Sequence, residues 1–337
     1  MRQNMILWRD SVLASKQRLA MPIMTQPGIA QIGRTVFDAV TQSSVHGEAV
    51  RALARSYPTG AATMIMDLSV EAEAFGAKIR FSDIEVPTVT ERCVYDENSI
   101  GDLSVPSLNA GRAGVYVEAS RIAAGAISDR PVFAGCIGPF SLAARLFDVT
   151  EILTAILIDP EPIHNLLKKA TRFLVSYVLA FKEAGANGVV IAEPVAGVLS
   201  EDHCTEFSSA YVREIVAAAQ DESFFVILHN CGDTDTLVKS MHGTGAAGLH
   251  FGNRCKIVEA LKQLPPDLLV FGNLDPSGVI KSGDPAFVAA ETRRLLEATR
   301  SFRNFVLSSG CDVPPGVPVE NIDALFRALA EFNQHPA

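Results

Sequence analysis

A histidine and a cysteine stand two residues apart where an apolar run stops. The stretch FFVILHNCGDT, residues 224–234, begins with the unbroken Phe224–Leu228 and then reaches His229, Cys231 and Gly232. Such a run, aromatic and β-branched, reads as a strand buried on both faces. Side chains two apart on a strand point the same way, so His229 and Cys231 share a face at its end. Imidazole nitrogen and thiolate sulfur together suit Zn²⁺ in tetrahedral geometry. A third ligand of the same kind, Cys311, follows another apolar run in NFVLSSGCDVPPG. Three protein ligands leave a fourth position for water or substrate, as catalytic zinc sites do. Two thiolates already offset the charge of the metal, which favours alkylation of a bound thiol over hydrolysis by a bound hydroxide. The plainer reading of H-x-C is a packed histidine beside a buried thiol, and the pattern alone leaves both readings open.

The elements that must position these residues alternate regularly. Strands are expected near Pro22–Thr25, Thr63–Met66, Val132–Cys136, Gly188–Ala192, Phe224–His229, Gly248–Phe251, Leu268–Gly272 and Asn304–Leu307. Amphipathic helical segments lie between them, among them Gly111–Ile127, Glu161–Ala184, Ser208–Ala219, Ile257–Gln263 and Pro285–Ala298. Strands with helical crossovers in that number predict a parallel (β/α)₈ TIM barrel, a single α/β domain over residues 1–337. KIRFSDIEVPTVTERCVYD after the second strand alternates and contains a proline, which predicts a hairpin insertion. GPFSLAARLFDVTEILTAI after the third suggests extra helices over the barrel. In a barrel the fifth and eighth strands open on one mouth, so Cys311 can meet His229 and Cys231 there.

Most polar punctuation falls at the same strand ends. Glu193, in IAEPVAG, is a candidate fourth ligand, proton acceptor or partner of His229, or else a loop cap. His250, in GLHFGN, either faces the cavity or fills the core. Asp67 either contacts substrate or caps LSVEAEAF. Gly135, Gly138 and Asp275 are candidate cofactor-facing residues, although Asp275 also reads as a cap. Asp233 and Thr234 are expected to hold the ligand loop. Cys136 reads as core or pocket wall. Adjacent His203 and Cys204 splay apart and make a poor metal pair. The GCIG loop lacks both GxGxxG and a P-loop lysine, which argues against nucleotide binding.

Composition sets the outer bounds. The 337 residues are 48% hydrophobic and 20% charged, enough to bury a large core. A net charge of −9 argues against nonspecific nucleic-acid binding. MRQNMILWRDSVLASKQ reads as an amphipathic helix rather than a signal peptide. No stretch reaches the roughly 18 apolar residues of a membrane span. Six cysteines are too sparse for a disulfide scaffold, and a cytoplasmic location is expected. Oligomeric state, including a homodimer, stays open.

HNCGDT (His229–Thr234) with SSGCDVP (Ser308–Pro314) resembles the corrinoid-dependent methyltransferases of the uroporphyrinogen decarboxylase superfamily, which include the methylcobamide:coenzyme M methyltransferases. MDLSVEAEAFGAKIRF (Met66–Phe81), GCIGPFSLAARLF (Gly135–Phe147), AEPVAGVLS (Ala192–Ser200) and GNLDP (Gly272–Pro276) are similar to superfamily motifs in the same order. The resemblance implies a barrel and methyl transfer from a methylcobamide, carried by a separate corrinoid protein, to a zinc-bound thiol or to tetrahydrofolate. It assigns zinc to His229, Cys231 and Cys311, and Asp67 occupies the place of the decarboxylases' essential aspartate; the family usually has a small residue where His250 stands. Asp67 is expected to position substrate, and Glu193 or His250 to assist. True decarboxylases carry an arginine-bearing M-R-Q-A-G-R segment after the first strand. Here MTQPGIAQIGR (Met24–Arg34) keeps only Arg34, which weakens the decarboxylase alternative. A non-catalytic, zinc-bearing subunit that binds the corrinoid protein is the remaining alternative.

Overall fold

A computed structural model describes residues 3–334. The strands in chain order are β1 Ala62–Thr63, β2 Lys78–Arg80, β3 Thr88–Glu91, β4 Val132–Ile137, β5 Gly188–Ala192, β6 Phe225–Asn230, β7 Gly248–Phe251, β8 Leu269–Leu274 and β9 Phe305–Ser309. Seven of them form one parallel sheet in the order β1-β4-β5-β6-β7-β8-β9. Helices Ala113–Ala126, Pro160–Glu183, Ala210–Ala219, Ile257–Gln263 and Pro285–Ala298 return the chain between strands, as the periodicity predicts. Antiparallel β2 and β3 make the expected hairpin. Helices Pro139–Phe147 and Val149–Ile158 follow β4. No helix among the described residues is long and apolar enough to cross a membrane.

The expected first strand, Pro22–Thr25, is not a regular strand. The segment bridges β9 through Ala20 and Leu307. Met21 N–H donates to Leu307 O at 2.8 Å, and Gly60 N–H donates to Ala20 O at 2.7 Å on the other side. Pro22 then removes an amide from the ladder. Side chains take over: Ile23 N–H donates to Ser309 Oγ at 3.1 Å and Met24 N–H to Thr63 Oγ1 at 3.2 Å. The wall is closed, but the eighth stretch is pinned by side chains instead of a ladder. The second strand is also shorter than the expected Thr63–Met66, because Ile65 N–H turns to His46 Nε2 at 3.1 Å.

Inside the barrel, Phe133, Val190, Phe225, Ile227, Leu269, Phe271 and Val306 form a core of their own. The opposite parity on these strands, including Val226, Leu228, Ile191 and Leu307, packs outward against the helices. The N-terminal segment is helical over Met5–Ala14, as expected, and it closes the far end of the barrel. Met5 joins the interior core, and the Trp8 ring lies 6.0 Å from that of Phe133. With that end closed, the strands' C-terminal ends form the open mouth.

Candidate metal centre

Interior parity selects the site. Phe225, Ile227 and His229 alternate inward along β6, and Cys231 continues the same face one step past the strand. Cys311 follows β9 directly. The ligand atoms of His229, Cys231 and Cys311 lie within 4.8 Å of one another, the arrangement expected from the sequence. A tetrahedral zinc with bonds of about 2.0–2.3 Å holds its ligands about 3.3–3.8 Å apart, so small side-chain shifts would close the set. Cys311 donates to Cys231 and holds its thiol well below the usual range. The same shared proton pushes Cys311 well above the usual thiol range.

The tautomer of His229 follows from the groups behind it. Ser308 donates its one hydroxyl proton to Met21 O at 2.7 Å. It can therefore only accept from His250 Nε2, which lies 2.9 Å away. Burial pushes His250 well below the usual imidazole value, so the ring is neutral and its Nδ1 is bare. That nitrogen, 2.8 Å from His229 Nδ1, must accept a proton from it. The His250 carbonyl, an acceptor only, also lies 3.3 Å from His229 Nδ1 and demands the same proton. In the neutral ring, His229 Nε2 is then an unprotonated lone pair. It is buried and meets no partner among the described residues. A bare, oriented imidazole nitrogen beside a ready thiolate and a second thiol is a donor set that fits Zn²⁺.

This places His250 behind His229 and outside the candidate ligand set. Replacing His250 with alanine is expected to weaken zinc affinity about tenfold, the low end for loss of an outer partner, because the residue's main-chain carbonyl survives. Competition against a graded series of chelators measures it, and unchanged affinity would refute the relay.

The other sequence candidates fall elsewhere. Glu193 has outward parity: its carboxylate accepts from Phe140 N at 2.9 Å, Ser141 N at 2.8 Å and Ser141 Oγ at 2.7 Å, capping helix Pro139–Phe147. Asp67 accepts from Arg112 Nη1 at 2.6 Å, Tyr116 Oη at 2.8 Å and Ser69 Oγ at 2.6 Å, which commits both carboxylate oxygens. Arg112 Nε meets Glu73 at 2.6 Å in the same network. Asp275 caps its own loop through Ser277 and Gly278 amides. It lines a cavity of about 640 Å³ that reaches helix Pro285–Ala298, outside the barrel wall. A side chain at Gly135 would meet Met66 sulfur, and one at Gly138 would meet the Glu193 carboxylate. Cys136 is buried in the core around the barrel, and Cys204 lies against Ser209.

Four residues with buried polar atoms escaped the sequence reading. Glu71 accepts Ile137 N–H at 3.1 Å through Oε1 while Oε2 is buried without a partner. Arg145 Nε and Tyr177 Oη are likewise buried and unpartnered among the described residues. The only sequence signal was position: Glu71 lies one helical turn beyond Asp67. Asp312, beside Cys311, accepts amides from Met66 and Val313, and burial pushes its carboxyl up to about 8. The loop after β9 thereby leans across the mouth onto the end of β1.

The sequence model of the uroporphyrinogen decarboxylase (URO-D) family matches residues 15–332. The chain is 28% identical to a methylcobamide:CoM methyltransferase of Methanosarcina acetivorans over 279 residues, 79% of this chain and 78% of that one. It is 27% identical to a second such enzyme, from Methanosarcina barkeri, over 92% of both chains. A uroporphyrinogen decarboxylase of Legionella pneumophila is 26% identical over 83% of this chain and 80% of its own. Among solved structures, a methyltransferase from Methanosarcina mazei superposes with a TM-score of 0.87 over 98% of this chain and 99% of that chain, at 23% identity. A B12-independent methionine synthase from Shewanella gives 0.58 at 12% identity, over 95% and 96%.

Proposed function

Because the chain belongs to the uroporphyrinogen decarboxylase family, we propose that it serves that family's methyl-transfer chemistry, moving a methyl group from a methylated corrinoid protein to a thiol acceptor of the coenzyme M type or to tetrahydrofolate. The single observation that carries this reading is the convergence of His229, Cys231 and Cys311 at the mouth, with a bare imidazole nitrogen facing two sulfurs. Zinc bound by those three residues would supply Lewis acidity, keeping an acceptor sulfur deprotonated yet nucleophilic. The chain's own residues do the rest. His250 and Ser308 hold the His229 ring in its donor orientation. Cys231 and Cys311 place negative charge beside the acceptor, which preserves the sulfur's reactivity. The closed lower end of the barrel leaves the mouth as the approach for a methylated corrinoid on its carrier protein. The setting we infer is the cytoplasm.

The decarboxylase reading rests on the Legionella relative and the family model. Against it, Thr25 occupies the segment where decarboxylases carry arginine, and its hydroxyl is spent on Thr63 O at 3.0 Å. Asp67, the match to their essential aspartate, is tied to Arg112, Tyr116 and Ser69. The test is metal analysis of protein purified without added zinc, followed by a methylcobalamin assay with thiols and tetrahydrofolate. Stoichiometric zinc and methylation of an acceptor are expected. Zinc without turnover would identify a carrier-binding subunit, and decarboxylation of uroporphyrinogen by metal-free protein would replace the proposal.

A further inference from the structure

A small cavity lies at the other end of the barrel from the ligand trio. Its volume is about 210 Å³, and Ser15, Lys16, Arg18, Arg300, Ser301 and Arg303 line it, with Phe332 beside them. It sits where helix Met5–Ala14 has just ended and the turn before β9 begins, on the closed floor. Four of its wall residues are cations and none is an acid. The chain as a whole, by contrast, carries a net charge of −9.

Part of this wall is rigid. Arg18 N–H donates to Asn333 Oδ1 at 2.6 Å, and Asn333 Nδ2 donates to Arg18 O at 2.9 Å. The Arg18 guanidinium donates to the carbonyls of Phe302 at 2.6 Å, Arg300 at 2.7 Å and Thr299 at 3.1 Å. It thereby caps the end of helix Pro285–Ala298, as cations do there. Arg300 stacks on Phe332, 4.2 Å from the ring centre, and pairs with Glu297 at 2.6 Å. Neither arginine can swing away from the cavity without losing these contacts. Capping accounts for Arg18 but not for the charges gathered opposite it. Lys16 and Arg303 make no hydrogen bond or ion pair with any described residue. Burial, then the charges of Arg303 and Arg300, pull Arg18 below the usual guanidinium value. Like charges held around one small space repel, and an anion among them turns repulsion into attraction.

We propose that this floor cavity is an oxyanion site that takes a phosphate group, either free phosphate or the phosphate end of a small metabolite. Lys16, Arg18 and Arg303 have no acidic partner among the described residues, so a dianion suits the site better than chloride or a single carboxylate. The Arg303 fork and the Lys16 ammonium supply charged donors to phosphate oxygens, and the Ser301 hydroxyl supplies a neutral one. The volume admits a phosphate group with its water and leaves no room inside for a base and sugar. A phosphate held here joins the segment after helix Met5–Ala14 to the turn before β9. The site stands independently of the methyl-transfer reading.

Isothermal titration calorimetry at constant ionic strength, with inorganic phosphate and with glycerol 3-phosphate, tests the site without reference to the metal. Wild type is expected to bind saturably with a dissociation constant of about 1 mM or lower. Arg303→Gln and Lys16→Gln should each bind about fivefold more weakly, and the double variant more weakly still. Lys239→Gln removes an exposed cation outside the cavity and should bind as wild type does. Absence of saturable binding by wild type, equal binding by the double variant, or an equal loss in Lys239→Gln overturns the proposal. Thermal unfolding gives a second readout, since phosphate should raise the Tm of wild type and not that of the double variant. Without ligand, Arg303→Gln should melt at or above the wild-type temperature, because repulsion falls. A clear fall there would make the cluster structural and overturn the site. Tighter binding of glycerol 3-phosphate than of phosphate would support an esterified ligand, and the reverse order would support free phosphate.

Discussion

Cys311→Ser is expected to leave the purified protein with less than about a tenth of the zinc of wild type and to lower methyl transfer on the order of 10³-fold. The argument is chemical. A serine hydroxyl stays protonated near neutral pH and reaches less far than sulfur, so the set falls to one imidazole and one thiol. The change also removes the donor that stabilises the Cys231 thiolate, which raises the cost of deprotonating the remaining sulfur. Metal content per chain, measured alongside far-UV circular dichroism to confirm folding, reads the result. A variant that is folded and retains full zinc would show that Cys311 is no ligand and would remove the basis of the proposed function.

Arg112→Met is expected to destabilise the fold by about 3–5 kcal/mol, because it strands a buried carboxylate. The Asp67 side chain is 0% exposed and has Arg112 as its only ion-pair partner among the described residues, while Glu73 is left beside it with 21% exposure. Tyr116 and Ser69 still donate to Asp67, which favours the lower end of the range. Methionine preserves most of the aliphatic stem beneath Phe81, whose ring lies 5.0 Å from the guanidinium carbon. Urea unfolding at neutral pH measures the loss. The double variant Asp67→Asn/Arg112→Met should recover part of it, since replacing both partners costs less than orphaning one. A loss below about 1 kcal/mol in the single variant would mean that the network is solvated in solution.

The strands and crossovers were legible because each apolar run is short, bounded and buried on both faces. The convergence of His229, Cys231 and Cys311 was legible because strand periodicity puts the first two on one side and barrel closure brings Cys311 to them. Parity carried further information that the reading left unused. Glu193 lies an even step from Ile191 and Val189, which face the helices, so its carboxylate turns outward to the amides of Pro139–Phe147. His250 and Ser308 have inward parity and meet in the layer of His229. Pro22 signalled in advance that the first segment could not sustain a ladder. Other features had no local signature. Arg112 pairs with Asp67 across 45 residues and Ser308 with His250 across 58, and no periodicity encodes such partners. The burial that pushes the Glu71 carboxyl up to about 8 emerges only in three dimensions.

The stave between β9 and β1 has a consequence for the proposed metal site. It is laced to its neighbours by a few main-chain bonds around Ala20 and Met21, then by serine and threonine hydroxyls. The carbonyl of Met21, in that thinly laced stretch, is also where the proton chain from the ligand histidine terminates. Opening of the stave would free Ser308 to turn, let His250 change tautomer, and allow a proton onto His229 Nε2, the nitrogen that would face the proposed zinc. With the proposed zinc bound, amide exchange at Met21 and the rate of zinc escape are expected to rise together, which would tie the lifetime of the ion to the weakest seam of the wall.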